Sequence, residues 1–463
     1  MTESEVLQMT QHNKFHYKTL EELKKEIGEL HLNISISQDI SIFKTPVKVG
    51  KKEAPNALAV LPMEGCDSNA DGSPSDLVKR RYTRFAEGGA GLLWWEANAV
   101  EEAGRANPNQ MMLTDENLPS FQRLLEEVNE RASKIHENHT QPLHILQLTH
   151  SGRYSRPKGH KPAPVIPQRD PYLDPRSGVN DETPIVTDEY LDGLIEKYVH
   201  SALLAKKAGF DGVDIKACHR YLVSELLASH TREGKYGGSY ENRSRFLLDI
   251  IRRVKEAVGE DFIVACRFNV FDAHPYPYGF GEDKENFWKF DETEPLQLVR
   301  DMCSSGVELL SNSAGNPYYI YPQVTRPFDT SSLGIPVPEE HQLKSIERLF
   351  EFTRKIQKAA GDVPVVGNGY TWLRQYIPYV GAANLKDHSC SFIGLGRSSF
   401  AYPEAPRDIL EKGFMYSARC CITCSKCTQI MRDHGMTGCV IKDKEIYMEK
   451  YREARAEASA REV

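Results

Sequence analysis

"DGVDIKACHRYLVSELLASHTREGKYGGSYENRSRFLLDIIRRV" occupies residues 211–254. It opens with a short apolar run, Gly212–His219, in which Lys216 and His219 supply polar ends, and it closes with ENRSRFLLDIIRRV, where apolar residues recur at helical spacing. A strand that is apolar on both faces and is followed by a helix is the repeating unit of a parallel sheet. Seven further runs have the same character: NALAVLPM (56–63), AGLLWWEA (90–97), LHILQLTH (143–150), FIVACRFN (262–269), GVELLSNS (306–313), VPVVGNG (363–369) and SFIGLGR (391–397). Eight such strands with intervening helices predict an α/β chain folded as a TIM (β/α)8 barrel.

The helices between the runs carry their own stop and start signals. SPSDLVKRRYTRFAEGG offers Ser73 or Ser75 as a cap, and TDEYLDGLIEKYVHSALLAKKAGF places Thr187 before an acidic first turn and Gly209 at its end. Two long connections follow strand ends, a Pro-rich one from Ser151 to Thr187 and a polar, Gly-rich one from Leu222 to Tyr240. The expected organisation is a helical N-terminal extension over residues 1–50 (TLEELKKEIGEL), the barrel over 51–417, and a short C-terminal segment over 418–463. That segment holds a cysteine cluster and a charged terminal helix.

The 65 acidic and 58 basic residues are mixed along the chain and leave a formal net charge of −7, without a basic stripe, so nucleic acid is not an expected partner. MTESEVLQMTQHNK lacks an apolar leader, and no stretch approaches a membrane span, so a cytoplasmic protein is expected. Cys66, Cys218, Cys266, Cys303 and Cys390 are isolated, as reduced, mostly structural thiols are.

In a barrel of this kind the chemistry sits at the C-terminal strand ends. The polar residues there are Gln147, His150, Lys216, His219, Tyr221, Arg267, Asn368 and Arg397. GNG (367–369) and GLGR (394–397) end the seventh and eighth runs. Glycines let backbone N–H groups approach a phosphate, and Arg397 can grip it with two N–H groups, so a phosphorylated cofactor is expected at this place.

The stretch quoted first, with its GGS-x-ENR-x-RF pattern, together with LPM (61–63), QLTHSGR (147–153), CRFN (266–269), GNG and GLGRSSFAYP, resembles the Old Yellow Enzyme family of flavin oxidoreductases. The resemblance runs from about Ala57 to Cys439 and implies one FMN at the top of the barrel. Carried onto this chain, it implies that backbone at Pro62, Met63, Glu96 and Ala97 lines the isoalloxazine, and that Gln147 bonds the pyrimidine edge. Arg267 then puts positive charge beside N1, and Gly369, Gly396 and Arg397, with Asn368 beside them, hold the phosphate. Tyr221 falls at the proton donor's position. The chain departs from the pattern at Lys216, where a His is usual three residues before His219, and at Glu64, where Thr or Cys is common. Cys66 is expected to be a buried structural thiol.

"CCITCSKC" (420–427) gathers cysteines near the C-terminus, with Cys439 following. The C-x2-C-x2-C spacing of Cys421, Cys424 and Cys427 favours a [4Fe-4S] cluster over zinc, whose ribbons use two separated knuckles, and over disulfides. The position resembles that of the four-cysteine motif in the family branch that includes 2,4-dienoyl-CoA reductase and trimethylamine dehydrogenase, which implies Cys421, Cys424, Cys427 and Cys439 as ligands, with Cys420 left over. That branch continues into nucleotide-binding domains, whereas this chain ends at Val463. Electrons are therefore expected from a separate ferredoxin, flavodoxin or flavoprotein, with direct reduction by NAD(P)H also open.

The leading expectation is reduction of an activated C=C bond in an enone or enoyl substrate: Lys216 and His219 hold the carbonyl oxygen, FMN N5 gives hydride to the β-carbon, and Tyr221 protonates the α-carbon. An amine dehydrogenase or demethylase that discharges electrons through the cluster, and a non-catalytic electron-transfer subunit, are the alternatives. The Ser151–Thr187 loop and NPYYIYPQ (316–323) suggest a roomy apolar pocket, although the aromatics there also suit a core or a contact between copies in a homo-oligomer.

Overall fold

The computed structural model describes residues 14–135, 141–319, 327–335 and 340–461; Ile320–Gln323 of the aromatic stretch lie outside them. A small antiparallel hairpin, β1 (Val47–Val49) and β2 (Lys52–Ala54), precedes eight strands. These are β3 (Leu58–Val60), β4 (Leu92–Ala99), β5 (Leu143–Thr149), β6 (Gly212–Ile215), β7 (Ile263–Phe271), β8 (Leu309–Ala314), β9 (Val365–Gly367) and β10 (Phe392–Leu395). They form one closed barrel in sequence order, and every neighbouring pair, β10 with β3 included, is parallel. Each strand corresponds to one of the eight apolar runs.

Adjacent residues on a strand face opposite ways, and the two tryptophans of β4 show what each side needs. Trp94 packs inside the barrel with Leu92, Leu143, Ile145, Ile263 and Phe392, and its Nε1–H donates to Asp214 at 2.8 Å. Trp95 faces the helices, stacks on Tyr82 with ring centroids 3.7 Å apart, and donates to His144 Nδ1 at 3.1 Å. Val49 and Ala54 of the hairpin join the inner cluster beside the first residues of several strands, so the hairpin plugs the N-terminal end. Lys52, ion-paired with Asp211 at 2.5 Å, ties that plug to the start of β6. The open end left for ligands is the C-terminal one.

The caps are those the sequence signals. Ser75 caps the helix Asp76–Glu87, while Thr187 caps Asp188–Ala208, which Gly209 ends in the left-handed region at φ 104°. Helix Leu20–Glu29 begins with a capping box between Thr19 and Glu22. One connection differs from expectation: the first residues of the Leu222–Tyr240 loop form a buried helix, Leu222–Leu227, because LVSELL is itself an apolar run and packs beneath the barrel mouth. The C-terminal segment lies over that mouth. It carries helices Lys426–Arg432 and Lys444–Arg461, and is pinned by Asp443 to Arg80 and Arg84 and by Thr437 N–H to the Gly65 carbonyl at 2.6 Å.

Candidate functional site

The strand ends enclose a cavity of about 530 Å³. Pro62, Met63, Gln147, Lys216, His219, Tyr221, Arg267, Asn368, Gly369, Gly396 and Arg397, which lie on six different strand ends and their loops, all line it. Ala97 does not: it is buried in β4 beyond the lining, and its carbonyl accepts from Gln110 Nε2 at 3.3 Å. His150 is also set apart. Its ring nitrogens contact Glu101 at 3.0 Å, Tyr190 at 3.1 Å and the Gly152 N–H at 3.0 Å, which makes it a satisfied core histidine.

At the floor, Asp214 accepts from Gln147 Nε2 at 2.6 Å, Trp94 Nε1 at 2.8 Å and Arg267 N–H at 2.7 Å. Burial pushes its carboxyl up to about 6 against these bonds. Asp214 orients Gln147 from below, and a lone Asp inside the apolar run GVDI was the sequence signal for it.

Two arginines in the lining have a buried Nε that bonds nothing, Arg267 and Arg397, and neither is ion-paired with a carboxylate among the described residues. Arg397 reaches only Thr428 Oγ1 at 3.0 Å and the face of Phe328. Gly369 stands at φ 92°, and a Cβ on Gly396 would meet nothing nearer than Met63 Sδ at 3.6 Å, so at both places the backbone itself faces the cavity. Unsatisfied guanidinium N–H groups beside bare backbone form a cradle for a phosphate and an electron-rich ring. An FMN fits this set of residues.

On the other side of the chemistry, Lys216 follows β6 directly and pairs with Glu64 at 2.8 Å, with side chains 4% and 15% exposed. Its ammonium lies 4.0 Å from the Tyr221 ring centroid. Lys216 is thus a charge held by a carboxylate at the edge of the cavity it lines with His219. Glu64, which the sequence marked only as a departure, is its partner. His219 sits in a left-handed turn at φ 63°, followed by Arg220 at φ 59°, and its Nε2 lies 3.0 Å from Ser313 Oγ. Held in this sparsely populated conformation, the imidazole turns back into the cavity.

Tyr221 begins the helix Leu222–Leu227 and is buried. Burial first, then Glu64 and Tyr318, push its hydroxyl well above the ordinary tyrosine range, so it keeps its proton at any physiological pH. Tyr318 in turn stacks on Tyr154 with centroids 3.7 Å apart.

The loop that carries Glu64 is fixed by a buried cluster. Arg81 bridges Asp67 and Glu96, and Glu96 also accepts the Gly65 N–H at 2.7 Å. A Cβ at Gly65 would fall 2.0 Å from the Arg81 guanidinium, so only glycine passes there. Cys66 beside it is a buried thiol pushed up by burial, as expected of a structural cysteine.

Cys421, Cys424, Cys427 and Cys439 together line a second, small cavity of about 20 Å³ next to the first, and Cys427 borders both. Among the described residues no three such side chains converge on a single ion position. The backbone N–H of Thr423 points at Cys421 Sγ (3.4 Å) and that of Lys442 at Cys439 Sγ (3.3 Å), bonds that favour thiolates against a burial that raises both thiols. The donor set fits a [4Fe-4S] cluster. Cys420 is buried away from it, its Sγ donating to the Tyr416 carbonyl at 3.4 Å, which makes it part of the core.

Among known proteins, the profile of the NADH:flavin oxidoreductase / NADH oxidase family matches residues 41–295. The chain is 29% identical over 385 residues to the NADH oxidase of Thermoanaerobacter brockii, covering 82% of this chain and 52% of that protein. It is 27% identical over 409 residues to the cinnamate reductase of Clostridium sporogenes, covering 86% and 56%. The chain therefore spans about half the length of these curated relatives. A 2-naphthoyl-CoA reductase structure superposes with a TM-score of 0.67 at 20% identity over 87% of this chain and 57% of that one, and so shares the barrel fold. With a family match over more than half its length and the flavin-type cavity at its barrel mouth, the chain belongs to the NADH:flavin oxidoreductase / NADH oxidase family.

Proposed function

We propose that the chain reduces the activated C=C bond of an α,β-unsaturated carbonyl compound, using FMN in the large cavity and a [4Fe-4S] cluster on Cys421, Cys424, Cys427 and Cys439. The observation that carries this reading is the meeting, in one cavity, of a buried tyrosine, a pair of N–H donors on Lys216 and His219, and two arginines whose buried Nε bonds nothing. Such a set supplies what conjugate reduction requires from a protein: a proton for the α-carbon, N–H groups for the developing enolate oxygen, and positive charge beside the reductant.

Pro62, Met63, Gln147, Arg267, Asn368, Gly369, Gly396 and Arg397 would hold FMN, which would supply the hydride. Lys216 and His219 grip the substrate's carbonyl oxygen, a contact that strengthens as negative charge grows there and is worth about 3 kcal/mol per donor. Glu64 holds Lys216 in place and balances its charge while the site is empty of substrate. Tyr221 gives up its hydroxyl proton to the α-carbon, with Lys216 over its ring to stabilise the transient phenolate and Tyr318 as its hydrogen-bond neighbour. Electrons would reach the flavin either as a hydride taken directly from NAD(P)H or one at a time from a separate carrier protein through a cluster held by the four cysteines. The name of the cinnamate reductase relative agrees with the reaction class.

For the amine-dehydrogenase alternative, the one carboxylate among the described lining residues, Glu64, is already neutralised by Lys216, so these residues present no free anion to an ammonium substrate. Tyr221→Phe tests the reading. Flavin reduction by a chemical reductant stays at the wild-type rate, while reoxidation by an enone slows by at least about 100-fold, within the range for lost acid catalysis. Unchanged reoxidation removes Tyr221 from the reaction.

A further inference from the structure

Three of the large apolar side chains that the fold leaves exposed fall within nine residues of one another. Phe414, Tyr416 and Ile422 are 41%, 42% and 42% exposed, and the rings of Phe414 and Tyr416 lie 5.0 Å apart. This run ends at the cysteines: Ile422 sits between Cys421 and Cys424 and lines their cavity while facing outward. Nothing in the flavin cavity uses these residues. Met415 and Cys420 of the same segment are buried, whereas these three apolar side chains are turned out.

The polar frame is cationic. Lys426 and Lys442 line the cysteine cavity, and neither is ion-paired among the described residues; Lys442 Nζ donates to the Ala418 carbonyl at 2.6 Å, and Lys426 lies over Tyr451. Lys412 rests 5.0 Å from the Tyr416 ring centroid. The neighbouring acids are spent: Asp408 on Lys412 and Arg419, Glu404 on Arg419, Asp443 on Arg80 and Arg84. Glu411 adds an exposed negative charge before the run, and Glu445 another beyond Lys442. In a chain of net charge −7 two lysines left without an ion pair among the described residues, Lys426 and Lys442, beside a small apolar centre have the make-up of a transient interface.

We propose that the Phe414–Ile422 run, framed by Lys412, Lys426 and Lys442, is the docking surface for an acidic one-electron carrier protein that delivers electrons at the cysteine site. The proposal rests on the [4Fe-4S] reading above. Two reduced carriers each lose one electron, and the C=C bond gains two electrons and two protons, one proton travelling within the hydride and one from Tyr221. An acidic partner is favoured over a second copy because a copy presents this same cationic frame, which repels itself across a two-fold contact.

The test uses the purified holoprotein, with FMN and iron measured, and an acidic bacterial-type ferredoxin as the probe. Binding is followed by chemical-shift changes or cross-linking, at low salt and at 0.5 M NaCl, for wild type, Phe414→Glu and Tyr416→Glu, which line neither cavity. Expected are micromolar binding that weakens at least about tenfold in high salt, since surface charge steering is screened, and a further loss of at least about tenfold in each variant. Flavin and iron contents, and reduction by dithionite, stay at the wild-type level. Equal binding by all three proteins overturns the proposal. So does a wild-type dimer in sedimentation that these variants convert to monomer, which makes the surface a contact between copies. Absence of iron from the wild-type protein defeats the cluster reading instead, and is seen before any binding is measured.

Discussion

Removing one member of the Glu64–Lys216 pair should damage stability and turnover in separable amounts. The pair is 2.8 Å long and mostly shielded from water, so at an effective dielectric of 20 its attraction is about 6 kcal/mol before desolvation is subtracted. Lys216→Met strands the Glu64 carboxylate against apolar surroundings and should lower unfolding stability by about 3–5 kcal/mol. The double variant Lys216→Met/Glu64→Gln has no stranded charge and should recover at least about half of that loss. Turnover behaves otherwise: both proteins lack the Lys216 donor, so both should lose about 100-fold in kcat/KM toward an enone, the equivalent of about 3 kcal/mol. Glu64→Gln alone keeps the donor but withdraws one of the negative charges that hold the Tyr221 proton, so Tyr221 should ionise at lower pH. The alkaline limb of the pH–rate profile then moves down. Denaturant unfolding and steady-state kinetics of the three variants supply the readings. A double variant no more stable than Lys216→Met, or a rate loss under about fivefold, refutes the reasoning.

Other predictions follow from the supporting residues. Gly65→Ala should cost about 3 kcal/mol or more and release FMN, because the new methyl meets the Arg81 guanidinium that ties Asp67 to Glu96; thermal unfolding and flavin content report it. Asp214 is held up near 6 in the folded state against about 4 unfolded, so the folded form binds its proton more tightly, and its contribution to stability is lost as pH rises from 4 to 6. Over that window the group should remove up to about 3 kcal/mol, a slope that Asp214→Asn should abolish in pH-dependent unfolding. Cys427→Ser should lose iron and retain FMN, whereas Cys420→Ser should keep both, as metal analysis and flavin absorbance will show.

Much of the barrel is written locally. Parallel strands are buried on both faces, so each reads as an unbroken apolar run, and caps such as Thr187 and Gly209 lie next to the helices they bound. Residues at the ends of those runs are carried to one cavity by topology alone, which is why Gln147, Lys216, Arg267 and Arg397 could be named from sequence. Pairings across the barrel could not. Glu64 and Lys216 are 152 residues apart, and nothing near either announces the other. His150 shows the opposite limit, since it shares a strand end with the cavity residues, but its ring is turned toward Glu101 and Tyr190 by contacts made far along the chain. The LVSELL helix was hidden for a similar reason, being a short apolar run among polar and glycine residues that acquires its helical form by packing.

The central claim is that the cavity delivers a hydride and a tyrosine proton to an activated C=C bond. Its most direct test is a single anaerobic turnover of the chemically reduced holoprotein with an α,β-unsaturated carbonyl compound in D2O. The account predicts flavin reoxidation and a saturated product carrying solvent deuterium at the α-carbon in wild type, with reoxidation suppressed in Tyr221→Phe. A reduced flavin that no such compound reoxidises, in a protein whose oxidised flavin is instead bleached by an amine, contradicts it.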